Sequence, residues 1–160
     1  MSKPALEKPY AGKTVVIGIG NRYLKDDGIG IEVADEVEGV LGDGVLVCSY
    51  QSVDLSLLAQ FEGASKVILV DALRSGAPPG AVSKYAIIPR KKPLDSINGL
   101  HSLELEDVFD VATQSGLLAC PVTIIGVEPK DVSPGEGMSD ELIRAVPRVV
   151  SAIIDEIRSQ

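Results

Sequence analysis

Acidic side chains and a single histidine are the residues of this chain whose types and spacing suit chemistry. Asp26 and Asp27 follow the first apolar run, Asp71 closes the run KVILVD, and Glu128 follows a later apolar run. His101 is the only histidine and precedes a stretch of helical period. Two carboxylates and one imidazole would leave coordination positions for water or substrate, as catalytic metal sites do. Asp27, Asp71 and His101 are therefore candidate metal ligands.

Each of these residues also has a purely structural interpretation. Asp26 or Asp27 can cap the helix predicted to begin at Gly28, and Asp71 can accept a hydrogen bond from its own turn. A lone histidine is often a cap or a surface residue. We expect a purely structural role for Asp26. We do not expect one for Asp27 and Asp71 taken together.

The strands that must position these residues are predicted from short β-branched runs that alternate with stretches of helical period. This alternation predicts an α/β three-layer sandwich with a five-stranded, mostly parallel sheet and helices on both faces. A strand that follows its predecessor through a short turn is expected to be antiparallel and at an edge. The predicted strands are Val15–Ile19, Gly44–Tyr50, Lys66–Asp71, the antiparallel Val82–Ile88 and Val122–Val127.

Helices are predicted where apolar residues recur at helical spacing. The last one is expected to be capped by Ser139 and kinked at Pro147. The predicted helices are Gly28–Leu41, Leu55–Phe61 with Asp54 as its cap, a modest helix around Leu105–Ala112, and a final helix from Ser139 to Arg158. In such folds the site lies beyond the carboxyl ends of the strands, where the acidic residues stand.

The composition suits one folded domain of 160 residues. Residues 1–12 are assigned to a disordered tail without the apolar stretch of a signal peptide, and residues 13–160 to a single α/β domain. A formal net charge of −8 argues against binding to nucleic acids or anionic membranes. No apolar run has the length of a membrane span, and two distant cysteines imply no disulfide framework. A cytoplasmic protein without membrane insertion is expected.

The sequence does not match the motifs of nucleotide-binding proteins or of serine hydrolases. A dinucleotide fingerprint would need a third glycine where Tyr23 stands and an acid after the second strand. A Walker loop and a G-x-S-x-G elbow are absent. A phosphoacceptor receiver domain is a closer competitor, because it shares the acidic pair, Asp71 and Lys130. Its acids, however, follow the first strand directly, whereas Asp27 comes late in its loop.

Four motifs in order carry a resemblance to a known family. They are VVIGIGNRYLKDDGIGIEVADEV, VILVDAL, LHSLELEDVF and IIGVEPKDVSPGEGMSDEL. Together they cover Val15 to Ile157, and the chain resembles the hydrogenase maturation endopeptidases. The resemblance implies a peptidase domain that clips the C-terminal extension from the precursor of a nickel–iron hydrogenase large subunit after the nickel–iron centre has been loaded.

The resemblance also implies a set of site residues. Asp27, Asp71 and His101 would be both the catalytic residues and the metal ligands, with Asp27 standing where the family often has glutamate. The metal would be nickel carried by the substrate, for which zinc or cadmium could substitute. Neutral imidazole and carboxylate oxygens suit such an ion. The partner would be the large-subunit precursor, and the protein is expected to be a monomer.

The remaining predicted site residues would meet the substrate. Gly18 and Gly20 would let the backbone approach the ion or the tail, Asn21 would hold the loop through its own backbone, and Glu128 would orient substrate or water. Two alternatives stay open: a receiver-like signalling domain, and a metal-binding maturation chaperone of the same fold that does not hydrolyse peptide bonds.

Overall fold

The secondary structure follows the predicted order of strands and helices. A computed structural model describes residues 8–87, 108, 109, 112 and 115–159. The strands are β1 (Thr14–Ile19), β2 (Val45–Tyr50), β3 (Lys66–Ala72), β4 (Val82–Ile87) and β5 (Val122–Val127). The helices are a 3-10 turn (Lys25–Gly28), α1 (Ile29–Val37), α2 (Leu55–Ala59) and α3 (Asp140–Arg158). The helix predicted around Leu105–Ala112 lies mostly outside the described residues, within which Val108, Phe109 and Ala112 are helical.

The five strands form one sheet in the order β2-β1-β3-β5-β4. β1, β2, β3 and β5 run parallel, and β4 pairs antiparallel with β5 at the edge. This arrangement confirms the predicted mixed sheet with one antiparallel edge strand. The carboxyl ends of β1, β3 and β5 therefore lie next to one another, which brings the residues that follow them to a common edge.

Both faces of the sheet are covered, because alternate residues of each central strand enter different cores. Val15 and Ile17 of β1 pack with α2 and Phe109, whereas Val16 packs with α1 and α3. Burial on both faces explains why the parallel strands appear in the sequence as continuous apolar runs. The result is the predicted three-layer sandwich.

Helix α1 packs against β1 through two glycines. A Cβ atom on Gly18 would lie 2.1 Å from the carbonyl oxygen of Gly30, and one on Gly30 would lie 2.3 Å from that of Ile19 and 2.5 Å from that of Val70. Side chains are therefore excluded at both positions, and the start of α1 rests directly on the sheet. This contact brings the 3-10 turn before α1 to the carboxyl edge.

Two differences from the prediction exceed the shifts of one or two residues at other element ends. The first helix was expected over Gly28–Leu41, but the chain leaves it at Glu38 and continues through Gly39, whose φ is +76°. A left-handed backbone favours glycine and ends the helix early. Residues 8–12, which the sequence assigns to the disordered tail, form a turn in which the Tyr10 ring packs on Phe61 with the centroids 4.8 Å apart.

The carboxyl end of α3 is attached to the sheet by the buried carboxylate of Glu156. Its oxygens accept hydrogen bonds from Thr123 Oγ1 at 2.9 Å and Lys84 Nζ at 3.0 Å, and Lys66 Nζ lies 3.2 Å away. Burial raises the pKa of Glu156, but these three donors outweigh burial and leave the pKa below its ordinary value. The cluster fixes one end of α3, while the other end reaches the candidate site. No helix in the described ranges is long and apolar enough to span a membrane.

Candidate active site

The loop after β1 folds back on itself and presents the acidic pair. Gly20 has a φ of +154°, and a Cβ there would lie 1.9 Å from the carbonyl oxygen of Asp27. Asn21 accepts a hydrogen bond from Tyr23 N–H through Oδ1 at 2.9 Å, so its side chain holds the loop as predicted. Gly20 thus permits a close contact within the loop itself, and contact of Gly18, Gly20 or Asn21 with a substrate stays a prediction.

Asp27 is buried at the end of this loop, with 1% of its surface exposed. Its Oδ2 accepts a hydrogen bond from the backbone N–H of Asn21 at 3.0 Å. Gly28 follows Asp27 and stands at the N-cap of α1. The loop therefore orients the carboxylate of Asp27.

Asp71 lies at the same edge and is fully buried. It sits in β3 opposite Gly126 of β5, and its Oδ1 accepts a hydrogen bond from Ala72 N–H at 2.8 Å. The 3-10 turn that carries Asp27 contacts β3, so the fold brings both predicted acidic ligands to one edge of the sheet. Asp71 follows Leu69 by two positions and therefore faces the layer that contains α2 and Phe109.

His101, the third predicted ligand, lies outside the described residues. Within those residues, no group of three or more histidine, cysteine, aspartate or glutamate side chains is arranged to hold a metal ion. The predicted set of Asp27, Asp71 and His101 thus stays a prediction. Cys48 and Cys120 are half-buried free cysteines. Burial raises the pKa of the Cys48 thiol to about 11, so it is not a thiolate at neutral pH.

Asp26 has a different role from its neighbour, because its fully buried carboxylate joins the first loop to the last one. Oδ2 accepts hydrogen bonds from the backbone N–H groups of Lys130 at 2.8 Å and Asp131 at 2.9 Å and from the Ser139 hydroxyl at 2.9 Å. Oδ1 accepts from Ser139 N–H at 2.7 Å. Asp26 was a candidate cap of α1, but its carboxylate bonds to the last loop instead. Ser139 stands at the N-cap of α3 as predicted, but its side chain makes no capping hydrogen bond.

Backbone contacts strengthen the connection between the two loops. Gly135 N–H donates to Tyr23 C=O at 2.8 Å, and Lys25 N–H donates to Gly135 C=O at 3.1 Å. Lys25 adopts a left-handed φ of +49°, and its ammonium lies 3.0 Å from Asp131 Oδ2. Hydrogen bonds from Ser133 and Lys25 hold the pKa of Asp131 well below its usual range. The first loop is therefore positioned by the loop after β5.

Glu128 organises the third loop at this edge. Its side chain is 7% exposed, and Oε2 accepts hydrogen bonds from Ser75 N–H at 2.7 Å and the Ser75 hydroxyl at 2.8 Å. Glu128 therefore holds the turn after β3, close to Asp71 in the chain, and its predicted action on substrate or water stays a prediction. Sequence reasoning missed Ser75 and gave Ser139 only a capping role, because no local motif joins a serine to a carboxylate so distant in the chain.

A model of the hydrogenase maturation protease family matches residues 52–156. The chain belongs to this family. Among relatives, it is 26% identical to the coenzyme F420 hydrogenase subunit delta of Methanothermobacter thermautotrophicus, over 93% of this chain and 97% of the relative. It is 24% identical to the hydrogenase 2 maturation protease of Escherichia coli, over 91% of each chain. These two alignments span most of the chain, whereas the family model begins after β2.

Solved structures of hydrogenase maturation proteases share the fold. The hydrogenase maturating endopeptidase HybD from E. coli superposes with a TM-score of 0.78 at 23% identity, over 91% of this chain and 92% of that one. The receiver-like alternative is wrong for this family member, because receivers have a parallel sheet in the order 2-1-3-4-5. Here β5 lies between β3 and the antiparallel β4. This hydrogenase maturation protease is therefore expected to hydrolyse a peptide bond, as its family name states.

Proposed function

We propose that this protein is an endopeptidase that removes the C-terminal extension from the nickel-loaded precursor of a nickel–iron hydrogenase large subunit. The observation that supports it most is the placement of two buried carboxylates, Asp27 and Asp71, at one sheet edge in a member of the maturation protease family. The proposed site of action is the cytoplasm, and the proposed active species is a monomer.

The residues present fit a nickel ion brought by the substrate. Asp27 and Asp71 provide hard oxygen donors, and each has one oxygen oriented by a backbone N–H at 3.0 and 2.8 Å respectively. Because these hydrogen bonds already hold both carboxylates in place, metal binding would cost little additional side-chain entropy. His101 would add the borderline imidazole that nickel favours. Zinc or cadmium would bind the same donors.

The proposed chemistry is hydrolysis of one peptide bond near the end of the precursor. A bound nickel ion would polarise the scissile carbonyl or lower the pKa of a water molecule. The protein's own residues would hold the tail in the loop after β1, balance the charge of the ion through Asp27 and Asp71, and keep bulk water from this buried edge. Because the site would be complete only when the substrate brings its nickel ion, unloaded precursor would not be cut.

The decisive experiment follows the mass of the precursor. Nickel-loaded and nickel-free large-subunit precursor are each incubated with the wild-type protein, with Asp71→Asn, and with Asp43→Asn as a matched exposed-carboxylate control. We expect loss of a C-terminal peptide only from loaded precursor, and only with wild type and Asp43→Asn. Binding without any mass change would instead support the non-hydrolytic chaperone, and cutting of both precursors would contradict dependence on nickel.

A further inference from the structure

An open groove of about 830 Å³ lies beside the candidate site, between the loop after β1, α1 and the start of α3. Among the described residues, four large hydrophobic side chains are exposed, and two of them, Tyr23 at 67% and Ile143 at 53%, line this groove. We call it the Tyr23 groove; its other principal lining residues are Met138, Val146, Glu36 and Glu136. Clustered exposed apolar side chains with a polar rim are typical of protein-binding surfaces.

The charge of the Tyr23 groove is negative once its internal ion pairs are considered. Arg22 is paired with Asp35 on the exposed side of α1, and Lys25 is paired with Asp131. Glu36 and Glu136 have no cationic partner within the described part of the chain. The two cations in the lining are therefore already neutralised by the protein, and the unpaired rim charges are carboxylates.

The groove adjoins the loop that carries the predicted ligand Asp27, because Tyr23, Lys25 and Gly28 line it. Tyr23 N–H donates to Asn21 Oδ1 at 2.9 Å, and Asn21 N–H donates to Asp27 Oδ2 at 3.0 Å. Two successive hydrogen bonds thus join the exposed aromatic residue to the predicted ligand. Tyr23 C=O also accepts from Gly135 at 2.8 Å, so this wall of the groove is ordered before a partner binds.

We propose that the Tyr23 groove binds a segment of the substrate precursor that carries lysine or arginine beside apolar side chains. The proposal rests on the proposed function and names the surface that holds the precursor while its tail is cut. Basic side chains would pair with Glu36 and Glu136, and apolar ones would cover Tyr23 and Ile143. A second copy of this chain fits less well, because a symmetric contact would bring two acidic rims together.

The test compares binding and cleavage for groove variants and matched controls outside it. The control for Tyr23→Ser is Val40→Ser, at another exposed hydrophobic residue. The second groove variant carries both Glu36→Lys and Glu136→Lys, and its control is Asp43→Lys. Kd for nickel-loaded precursor is measured by biolayer interferometry, and KM and kcat are measured from cleavage. We expect each groove variant to raise Kd and KM about tenfold, with a smaller change in kcat and none in the controls.

The outcomes separate the groove from the proposed function. Melting temperatures close to wild type establish that the variants are folded. Unchanged Kd and KM in both groove variants would overturn the proposal. If wild type binds the precursor but never cuts it, the proposed function fails, while the Kd comparison still decides the groove. Dimerisation of wild type that Tyr23→Ser abolishes, seen by sedimentation velocity, would assign the groove to a second copy and overturn the precursor as its occupant.

Discussion

The carboxylate of Asp26 accepts hydrogen bonds from both the backbone N–H and the hydroxyl of Ser139, at 2.7 and 2.9 Å. The two residues are 113 positions apart. One belongs to the 3-10 turn that carries Asp27, and the other is the residue immediately before α3. The position of the predicted ligand therefore depends on a helix from the far end of the chain.

Replacing Asp26 by asparagine tests this dependence. An amide has one acceptor oxygen instead of two and carries no charge, so at least one of the N–H or O–H donors loses its partner in a buried place. We expect Asp26→Asn to lower the free energy of unfolding by about 3 kcal/mol in urea melts. The control Asp140→Asn changes an exposed acid in the first turn of α3 and should cost under about 1 kcal/mol. Equal losses in the two variants would contradict the role of Asp26.

Removal of the predicted metal ligands should abolish processing without unfolding the protein. Asp27→Asn and Asp71→Asn keep the volume of each side chain, and His101→Ala removes the predicted imidazole. We expect nickel affinity, measured by isothermal titration calorimetry, and the rate of precursor cleavage each to fall about a hundredfold or more. Circular dichroism should stay that of wild type. Full activity in His101→Ala would exclude His101 from the ligand set.

The contact between α1 and the sheet predicts a strong effect of one methyl group. In Gly30→Ala the new Cβ would lie 2.3 Å from Ile19 O and 2.5 Å from Val70 O, both backbone atoms that cannot rotate away. This clash outweighs the helix preference of alanine, and we expect a loss of about 1–3 kcal/mol in thermal or urea melts. Gly44→Ala is the matched control, because nothing lies within 4 Å of its Cβ position. A stable Gly30→Ala would contradict direct packing of α1 on β1 and β3.

Glu156 predicts a pH dependence of stability. Its folded pKa lies below the 4.5 of an unperturbed glutamate because the bonds from Lys84, Thr123 and Lys66 outweigh burial. A lowered carboxyl pKa stabilises the folded state fully above the unfolded pKa, and this stabilisation is lost as pH falls through the folded pKa. The difference in unfolding free energy between wild type and Glu156→Gln should therefore be largest near neutral pH and shrink below 4.5. Glu38→Gln, at an exposed acid, should show no such trend; a constant difference for Glu156→Gln would refute the assignment.

Much of the fold could be predicted from local pattern. The bounds of β5 agree with the prediction, and the first three strands differ by a single residue at one end. Asp54 caps α2 as predicted by accepting a hydrogen bond from Leu57 N–H at 2.8 Å. These features depend on residues close together in the chain, so periodicity and capping chemistry predict them from the sequence. The early end of α1 was missed, because apolar residues Val40 and Leu41 continue the helical spacing past a left-handed glycine.

The roles of the two adjacent aspartates could not be separated by sequence. Asp26 and Asp27 have the same chemistry and the same relation to the following helix, and both were candidate caps. Only the tertiary structure shows that Asp26 meets Lys130, Asp131 and Ser139, whereas Asp27 turns to Asn21.

By itself, the sequence determined most strand positions, the mixed α/β class and the family, since these follow from local periodicity and motif order. It also predicted Asp27, Asp71 and His101 as metal ligands. The tertiary structure decided what each polar side chain does. It joined Asp26 to Ser139 and Glu128 to Ser75. It also joined Glu156 to one residue in each of β3, β4 and β5. It formed the Tyr23 groove next to the loop that carries Asp27. Hydrogen bonds between residues far apart in the chain depend on how the layers pack, and no local pattern of residues records that.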